Sequence, residues 1–205
     1  MPALRPALDL GSALRDAVRL GAGFVPAAVE ETFREQLLAE VDDGPFEALP
    51  ERAGAKEVRQ QADIFVVRGD MRTYPHAREL REELVSRLRE QGGPLVDAWR
   101  PNNAAVQRYA PGSLGVTPHL DGRRFRYLVA VFTLGGVAPF ALCSDRSGTV
   151  LRQWVTRPGS LVLMRAPGLA GLVDGRPLHT VRGPRNGPRT SFTFRMDSRA
   201  SRCSA

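Results

Sequence analysis

Short apolar runs fill the second half of the chain and limit the folds that it can adopt. They begin after Trp99, are rich in Val, Leu, Phe and Thr, and are separated by glycine and proline rather than by helical patterns. The runs span residues 104–109, 115–119, 126–134, 140–142, 150–155, 160–164, 179–181 and 189–195. About eight short strands without intervening helices predict an antiparallel barrel or jelly roll.

The first half of the chain has helical patterns instead. Apolar residues at helical spacing predict a short amphipathic helix within residues 1–24, a second helix at 27–41 and a third from residue 75 or 76 to 90. The polar segment 42–63 predicts a loop or a short irregular hairpin, and 63–67 predicts a buried strand. Helices followed by a run of strands indicate an α+β fold class.

The length and composition suit one domain with a sizeable core: the chain has 205 residues, of which 42% are hydrophobic and 25% charged. We expect an N-terminal amphipathic helix at 1–24 and a single domain at 25–205, with helical support at 25–98 and a jelly-roll core at 99–197. The sequence contains no apolar run of about 18 residues or more, and its N-terminus lacks the pattern of an export signal. It therefore predicts a cytoplasmic protein without a membrane partner.

The charge of the chain raises the possibility of a nucleic-acid partner, because the formal net charge is +7. However, Lys56 is the only lysine among 29 basic residues, which indicates a compositional bias towards arginine, and the arginines are scattered. The cysteines, Cys143 and Cys203, are too few for a disulfide framework or a zinc cluster. Cys143 lies in an apolar run and is expected to be a buried, inert thiol.

Two histidines and an aspartate form a candidate metal site. His119 and Asp121 are two residues apart in a predicted strand, so their side chains share a face. His179 follows 58 residues after Asp121 (179 minus 121), which is enough chain to cross four or five strands and return beside the first pair. Two imidazoles and one carboxylate favour iron(II) and leave open positions on the metal, although the same ligands would accept manganese, cobalt or zinc in vitro. The third histidine, His76, is expected at the surface or at a helix start.

The motifs around these residues resemble the iron(II)/2-oxoglutarate-dependent dioxygenases, and within them the AlkB-like branch. The matching motifs cover about residues 104–196: Gln107-Arg-Tyr109-Ala-Pro-Gly112, His119-x-Asp121, Pro158-Gly-Ser-Leu-Val-Leu163, His179 and Arg189-Thr-Ser-Phe-Thr-Phe-Arg195. The resemblance implies a double-stranded β-helix (jelly roll) core that uses Fe²⁺, 2-oxoglutarate and O₂. It also implies hydroxylation of a substrate C–H bond, with release of succinate and CO₂.

The resemblance also assigns residues to the cosubstrate. Arg189 would bind the distal carboxylate of 2-oxoglutarate, for which a planar guanidinium is well suited. Arg195 would support the carboxylate beside the metal, Tyr109 would hydrogen-bond the cosubstrate, and Ser191 and Gln107 would complete the cofactor-binding set. Gln107 departs from the family, which normally has asparagine there. The alternative is that the arginines form the solvated face of an edge strand.

The residues after the metal motif bear on the substrate. Repair enzymes of the AlkB-like branch tend to have an acidic residue just after the His-x-Asp pair, where this chain has Arg123. Arg123, Arg124 and Arg126 would better bind a phosphate or carboxylate, so we favour a small acidic substrate or metabolite. The alternatives are an AlkB-like oxidative demethylase of alkylated nucleic acid and hydroxylation of a protein side chain.

A nucleobase substrate would need an aromatic ring on which to stack. The candidate rings are Trp99, Trp154, Tyr74 and Phe65. An alternative of another class is a non-catalytic jelly-roll module that binds nucleic acid, although the complete set of metal ligands and cosubstrate arginines argues against it. Segments 42–63 and 166–171 are candidate active-site lids, and the sequence does not indicate an oligomeric state.

Overall fold

Three helices and thirteen strands make up the protein in a computed structural model that describes residues 1–54, 58–69 and 71–199. The helices are α1 (Leu10–Leu20), α2 (Glu31–Asp42) and α3 (Pro75–Gly92), with short 3₁₀ turns at Gly93–Leu95 and Leu169–Gly171. The first five strands are β1 (Ala22–Val25), β2 (Glu47–Ala48), β3 (Arg52–Ala53), β4 (Val58–Gln61) and β5 (Asp63–Arg68). The other eight are β6 (Asn103–Tyr109), β7 (Gly115–His119), β8 (Phe125–Gly135), β9 (Ala138–Cys143), β10 (Val150–Thr156), β11 (Leu161–Arg165), β12 (His179–Arg182) and β13 (Arg189–Asp197).

The strands form two antiparallel sheets. The larger sheet has the order β1-β11-β8-β13-β6-β5-β2, and the smaller has the order β10-β9-β12-β7-β4-β3. Four strands of each sheet come from the consecutive run β6 to β13, so that the chain passes repeatedly between the two sheets. This arrangement confirms the predicted α+β fold with a double-stranded β-helix core.

Alternation along the strands produces two cores. On β13, Phe192 and Phe194 are fully buried in the cluster that the larger sheet forms with the helices. The alternate residues Ser191, Thr193 and Arg195 face the other way, towards the space between the two sheets. This space holds a second apolar cluster that includes Phe140 and Val181. The interior of the jelly roll is therefore lined partly by apolar side chains and partly by the polar face of β13.

The first strand was not predicted from the sequence, which indicated a helix within residues 1–24 followed by a helix at 27–41. Residues 22–25 instead pair with β11, and α1 lies so close that a Cβ on Gly23 would be 1.9 Å from the carbonyl oxygen of Ala13. Only glycine allows this approach. The backbone N–H groups of Ala28 and Val29 both donate to Gly159, and this tertiary contact delays the start of α2 until Glu31.

The start of α3 is capped by a side chain from α2. The Glu40 carboxylate accepts hydrogen bonds from the backbone N–H groups of His76 (2.9 Å) and Ala77 (3.0 Å), and it lies 2.7 Å from Nδ1 of His76. A carboxylate at a helix N-terminus satisfies free N–H groups and interacts favourably with the helix dipole. His76 is thus at a helix start, as expected.

The segment predicted as a loop or irregular hairpin, 42–63, contributes three short strands among its described residues, β2, β3 and β4, and the strand predicted at 63–67 is β5. The strands β2 and β5 pair with each other, as do β3 and β4, and β4 also pairs with β7. Strands before residue 99 thus join both sheets of the jelly roll. The domain boundaries proposed from the sequence remain predictions.

Two further expectations concern cysteines and membranes. Cys143 is buried and free, and burial raises the pKa of its thiol. Cys203 and Lys56 lie outside the described residues. Among the described residues, no helix has the length and hydropathy needed to cross a membrane.

Candidate active site

Pairing between β7 and β12 brings the two predicted histidine ligands together. His179 and His119 are direct partners in the antiparallel register, and their ring centroids are 4.2 Å apart. At the other end of this pairing, Gly115 has φ +78° and a Cβ there would be 2.1 Å from the carbonyl oxygen of Val181. A glycine at this position lets β7 approach β12 closely enough for the histidines to meet.

The three predicted ligands converge at the end of β7. His119, Asp121 and His179 each offer one donor atom, and these atoms all lie within 4.8 Å of one another. The Nδ1 atom of His119 lies 2.9 Å from the carbonyl oxygen of Thr117, and that of His179 lies 3.1 Å from that of Pro177. Because carbonyls only accept, each Nδ1 would carry the proton, which leaves both Nε2 lone pairs free for a metal.

The electrostatics of the site also suit metal binding. The pKa of His119 is lowered from 6.5 to about 4, first by burial and then by the neighbouring His179, while Asp121 and the hydrogen bond to Thr117 act in the opposite direction. His119 is therefore neutral at pH 7. A neutral imidazole is the form that binds metal.

A cavity of about 380 Å³ extends from the three ligands into the jelly roll, and Arg189 lies on its wall. Arg189 is only 1% exposed. Its Nη2 donates to Oγ1 of Thr133 (3.2 Å), but Nε and Nη1 have no hydrogen-bond partner among the described residues. The guanidinium carbon lies 5.3 Å from the ring centroid of Tyr109.

Burial affects both members of this pair. It lowers the pKa of Arg189 and raises the pKa of Tyr109, although each group partly offsets the shift of the other. A buried cation with unsatisfied donors is costly unless an anion binds to it. The wall of the cavity thus presents an arginine that is arranged for a carboxylate.

The second predicted arginine lies further along the same strand. Nε of Arg195 donates to Oδ1 of Asn103 (2.8 Å), and the guanidinium lies 4.4 Å from the ring centroid of Phe125. Burial lowers its pKa, and Asp121 partly offsets the shift. Ser191 and Gln107 also line the cavity. All five residues that the resemblance assigned to the cosubstrate therefore meet in one space with the three ligands.

The three arginines predicted for the substrate are placed differently from one another. Arg124 lines the cavity, where Nε lies 3.1 Å from Oδ2 of Asp197. Arg123 is exposed, with Nη2 3.5 Å from Oδ2 of Asp174, and neither it nor Arg126 lines the cavity. Only Arg124 is placed to contact a molecule in the cavity.

The candidate stacking rings do not line the cavity. Trp99 is buried and donates to the carbonyl of Leu128, while Tyr74 packs on Phe65 with 5.9 Å between ring centroids. Trp154 packs against Phe24 at 5.9 Å. These four rings serve as packing.

Among the described residues, the rings of Tyr109 and Phe140 do line the cavity, and each already packs against another side chain of the site. Tyr109 lies beneath Arg189, and Phe140 stacks on His179 with 5.4 Å between centroids and 17° between planes.

Four polar residues near the site were missed by sequence reasoning: Thr133, Asn103, Asp174 and Arg176. Asn103 is the register partner of Arg195 and Thr133 that of Ser191, so the strand register would indicate both residues once it is known. Asp174 and Arg176 belong to the loop before His179 and follow no motif. Their contacts could only be found from the tertiary structure.

Comparisons with known proteins agree with this architecture. No family model matches the chain, and no curated protein sequence matches it. Many solved structures do match, among them three that are similar over most of their length. A prolyl-4-hydroxylase from Pseudomonas putida has a TM-score of 0.63 and 18% identity, covering 92% of this chain and 98% of that one.

The other two structures are similarly distant in sequence. A Trichoplax adhaerens prolyl hydroxylase in complex with a hypoxia-inducible-factor peptide fragment has a TM-score of 0.65 and 14% identity, covering 96% of this chain and 93% of that one. A 2OG-Fe(II) oxygenase family oxidoreductase from Burkholderia pseudomallei has a TM-score of 0.59 and 15% identity, covering 95% and 93% respectively. At these identities the likeness shows a shared fold, which is one that 2OG-Fe(II) oxygenases adopt.

Proposed function

We propose that this protein is an iron(II)- and 2-oxoglutarate-dependent oxygenase that hydroxylates a substrate C–H bond. When bound, iron(II) with 2-oxoglutarate would supply the oxidising chemistry: substrate, 2-oxoglutarate and O₂ give hydroxylated substrate, succinate and CO₂. The single observation that carries the proposal is one cavity that holds both a His₂Asp cluster and a buried arginine with free donors.

The donor set fits the metal. His119 and His179 would bind iron through Nε2, because both Nδ1 atoms are directed at backbone carbonyls. Asp121 would supply the carboxylate. Two imidazoles and a carboxylate on one face suit iron(II) and leave positions for the cosubstrate and O₂.

The arginines fit the cosubstrate. Arg189 would bind the distal carboxylate of 2-oxoglutarate through Nε and Nη1, the two donors without a partner. Tyr109, Ser191 and Gln107 would add hydrogen bonds, and Arg195, fixed by Asn103, would interact with the carboxylate nearest the metal. The role of these residues is to orient the cosubstrate and to exclude water.

For the substrate, we favour a small acidic molecule or metabolite. Among the described residues that line the cavity, the cations are Arg124, Arg189 and Arg195, and the only carboxylate is Asp121. Iron(II) and 2-oxoglutarate carry opposite charges of equal size, and Asp197 pairs with Arg124 at 3.1 Å, so the three arginines less Asp121 and Asp197 would leave the loaded cavity one excess positive charge. Arg124 would be the contact for the substrate anion.

Two other substrates are weaker candidates. A peptide side chain is the second candidate, because one structure of this fold is a prolyl hydroxylase in complex with a peptide fragment. An AlkB-like demethylase of nucleic acid has less support, because the two rings that line the cavity, Tyr109 and Phe140, already contact Arg189 and His179. A non-catalytic binding module would not need a buried arginine with free donors in the cavity.

Metal and cosubstrate binding test the reaction class. The metal-free protein is titrated anaerobically with iron(II) and then with 2-oxoglutarate, and the visible metal-to-ligand absorption band is recorded. We expect a band in the wild type and none in His179→Ala. A wild type without a band, or an equal band in the variant, would contradict the proposed function.

Succinate release then distinguishes the substrates. The protein is incubated with iron(II), 2-oxoglutarate and O₂ together with small carboxylates, proline-containing peptides or methylated single-stranded DNA. We expect the greatest stimulation by an acidic small molecule, and a loss of this stimulation in Arg124→Gln. Stimulation by peptide or DNA alone would overturn the substrate assignment but not the reaction class.

A further inference from the structure

A side chain that belongs to neither the metal set nor the cosubstrate set connects the two segments that supply the ligands. Nη1 of Arg176 donates to the backbone carbonyl of Asp121 (2.5 Å). Its Nε and Nη2 donate to the two carboxylate oxygens of Asp174, at 2.9 and 2.8 Å. The side chain of Arg176 is only 13% exposed. The guanidinium is therefore fixed on both sides.

The position of Asp121 makes this contact important. Asp121 lies two residues beyond the end of β7, so its backbone is outside the strand pairing that holds His119. Its carbonyl oxygen gains a charge-assisted hydrogen bond from Arg176 instead. A carboxylate ligand on a segment without ladder hydrogen bonds would otherwise have considerable freedom.

Arg176 itself lies in the loop that leads into β12 and His179. Arg176 is followed by Pro177, whose carbonyl oxygen lies 3.1 Å from Nδ1 of His179. On the other side of Arg176, the carbonyl oxygen of Gly175 accepts a hydrogen bond from Nε of Arg165 at 2.5 Å. The loop before β12 is thus anchored to β11, and through Arg176 it is also anchored to the segment that carries Asp121.

We propose that Arg176, fixed by Asp174, is a positioning residue that sets the spacing between Asp121 and His179 before a metal binds. The inference rests on the proposed function, since it assumes that the His₂Asp cluster binds a metal. Preorganised ligands lose less conformational freedom on binding, so the contact raises metal affinity. Partners that orient metal ligands typically change affinity by about 10- to 100-fold when they are mutated.

The test measures metal affinity without turnover. Cobalt(II) is titrated into the full-length, metal-free protein by isothermal calorimetry, with the visible cobalt spectrum recorded in parallel. We expect Arg176→Gln to weaken cobalt binding by about 10-fold or more and to alter the spectrum. Asp174→Asn should weaken it by less, and Arg176→Lys should restore part of the affinity, because lysine can donate to the carbonyl but cannot bind Asp174 through two N–H groups.

Arg123→Gln is the matched control. Arg123 also pairs with Asp174, at 3.5 Å, but it is exposed and, within the described part of the chain, it does not donate to the carbonyl of Asp121. We expect its cobalt affinity to stay within about twofold of the wild type, as for an exposed ion pair. Unfolding of each metal-free variant in urea separates a loss of affinity from a loss of fold, and Asp174→Asn and Arg176→Lys keep the test decisive if Arg176→Gln folds poorly.

The outcomes distinguish the two proposals. If the wild type binds cobalt in a manner that His179→Ala abolishes, and the Arg176 and Asp174 variants bind equally well, the positioning role is wrong while the metal site stands. If Arg123→Gln weakens binding as much as Arg176→Gln, the effect is general electrostatics and the positioning role is again wrong. If the wild type shows no binding that depends on His179, both proposals fail.

Discussion

Single residues decide the chemistry of this site, and the most informative is a buried cation with free donors. Arg189 has one side-chain partner, Thr133, and two donor atoms without a partner among the described residues. Proteins rarely bury such a group without a use for it, because desolvation of the charge opposes folding. We therefore expect that removing the charge of Arg189 does not destabilise the protein but weakens its binding of 2-oxoglutarate.

Replacing Arg189 by Met should separate those effects. Without the buried charge, the metal-free protein should be as stable as the wild type or more stable by about 1–3 kcal/mol in urea unfolding. Affinity for 2-oxoglutarate should fall by at least about 30-fold, which corresponds to the ~2 kcal/mol lower bound for losing one partner of a buried charge pair. Cobalt binding should persist, because the three ligands are untouched.

Arg108→Gln provides the control for this prediction. Arg108 lies at the surface, where Nη2 is 2.7 Å from the Asp42 carboxylate. The Arg108→Gln substitution should change neither the free energy of 2-oxoglutarate binding nor that of unfolding by more than about 0.5–1 kcal/mol. A strongly destabilised Arg189→Met that still binds 2-oxoglutarate would contradict the assigned role.

The lowered pKa of His119 predicts how stability depends on pH. The unfolded chain binds a proton at His119 near pH 6.5, whereas the metal-free folded protein binds it only near pH 4. The unfolded state therefore takes up more protons in this window, and stability that is present above pH 6.5 is lost as the pH falls towards 4. The loss could reach about 3 kcal/mol.

Urea unfolding at pH 7 and at about pH 4.5, with a chelator present, measures this contribution. Other groups also titrate between these values, so the comparison is with His119→Gln, which has no proton to bind. We expect the free energy of unfolding to fall more for the wild type than for the variant. Equal decreases would show that His119 does not have a lowered pKa in the folded protein.

At the scale of elements, the first turns of α1 and α3 are both held by side chains from elsewhere in the chain. Glu40, near the end of α2, caps the start of α3. Glu83 on α3 accepts the backbone N–H of Ala3 at 2.7 Å, and Gln91 accepts that of Gly11 at 3.0 Å. These contacts tie the N-terminal segment and the helices into one layer over the larger sheet.

Changing Glu40 to Gln tests the cap. The amide keeps one acceptor oxygen but loses the charge that stabilises the helix N-terminus, so we expect a loss of about 1 kcal/mol in the free energy of unfolding. The matched control is Glu79→Gln on the exposed face of α3, which should change stability by less than about 0.5 kcal/mol. Similar effects of the two substitutions would indicate that the cap contributes nothing.

Sequence patterns predicted many of the elements, several of them with nearly correct ends. The bounds of β7 were predicted correctly, and those of β6, β8 and β13 to within two residues, because alternation and turn residues are local signals. The strand β1 was missed because its four residues form a strand through pairing with β11 and packing against α1. Residues near 27–30 were predicted as helix, but contacts with Gly159 hold them in another conformation.

At the scale of the whole molecule, the question is whether α1 is part of the folding unit. Leu14 is 1% exposed and belongs to the same buried cluster as Phe132, Phe192 and Phe194 of the larger sheet. This continuity predicts that α1 and the jelly roll unfold together, in one cooperative transition. An accessory targeting helix would instead come away without affecting the sheets.

Substituting Leu14 with Ala measures this coupling. The buried cavity should cost about 2–4 kcal/mol and shift the unfolding of the whole protein, monitored by both circular dichroism and tryptophan fluorescence. Leu20→Ala, at a position that is 39% exposed, should cost less than about 1 kcal/mol. A Leu14 variant with an unchanged main transition would show that α1 is a separate unit.

The sequence by itself determined the chemistry that this protein has available. Residue type and strand alternation are properties of single residues and their near neighbours. They mark out His119, Asp121, His179, Arg189 and Arg195. Such signals need no knowledge of distant contacts, because ligand chemistry depends on residue type and strand faces on a period of two. They were sufficient to predict the jelly roll and, together with the resemblance of the surrounding motifs, to select residues that line its cavity.

Only the tertiary structure decided how those residues are held. Arg176 reaches Asp121 across 55 positions of sequence, and Arg189 reaches Thr133 across 56. Contacts over such distances depend on which strands become neighbours and in what register, and no local pattern encodes that. The same reason explains why Arg123 and Arg126, close to the metal motif in sequence, lie outside the cavity, while Arg124 between them lines it.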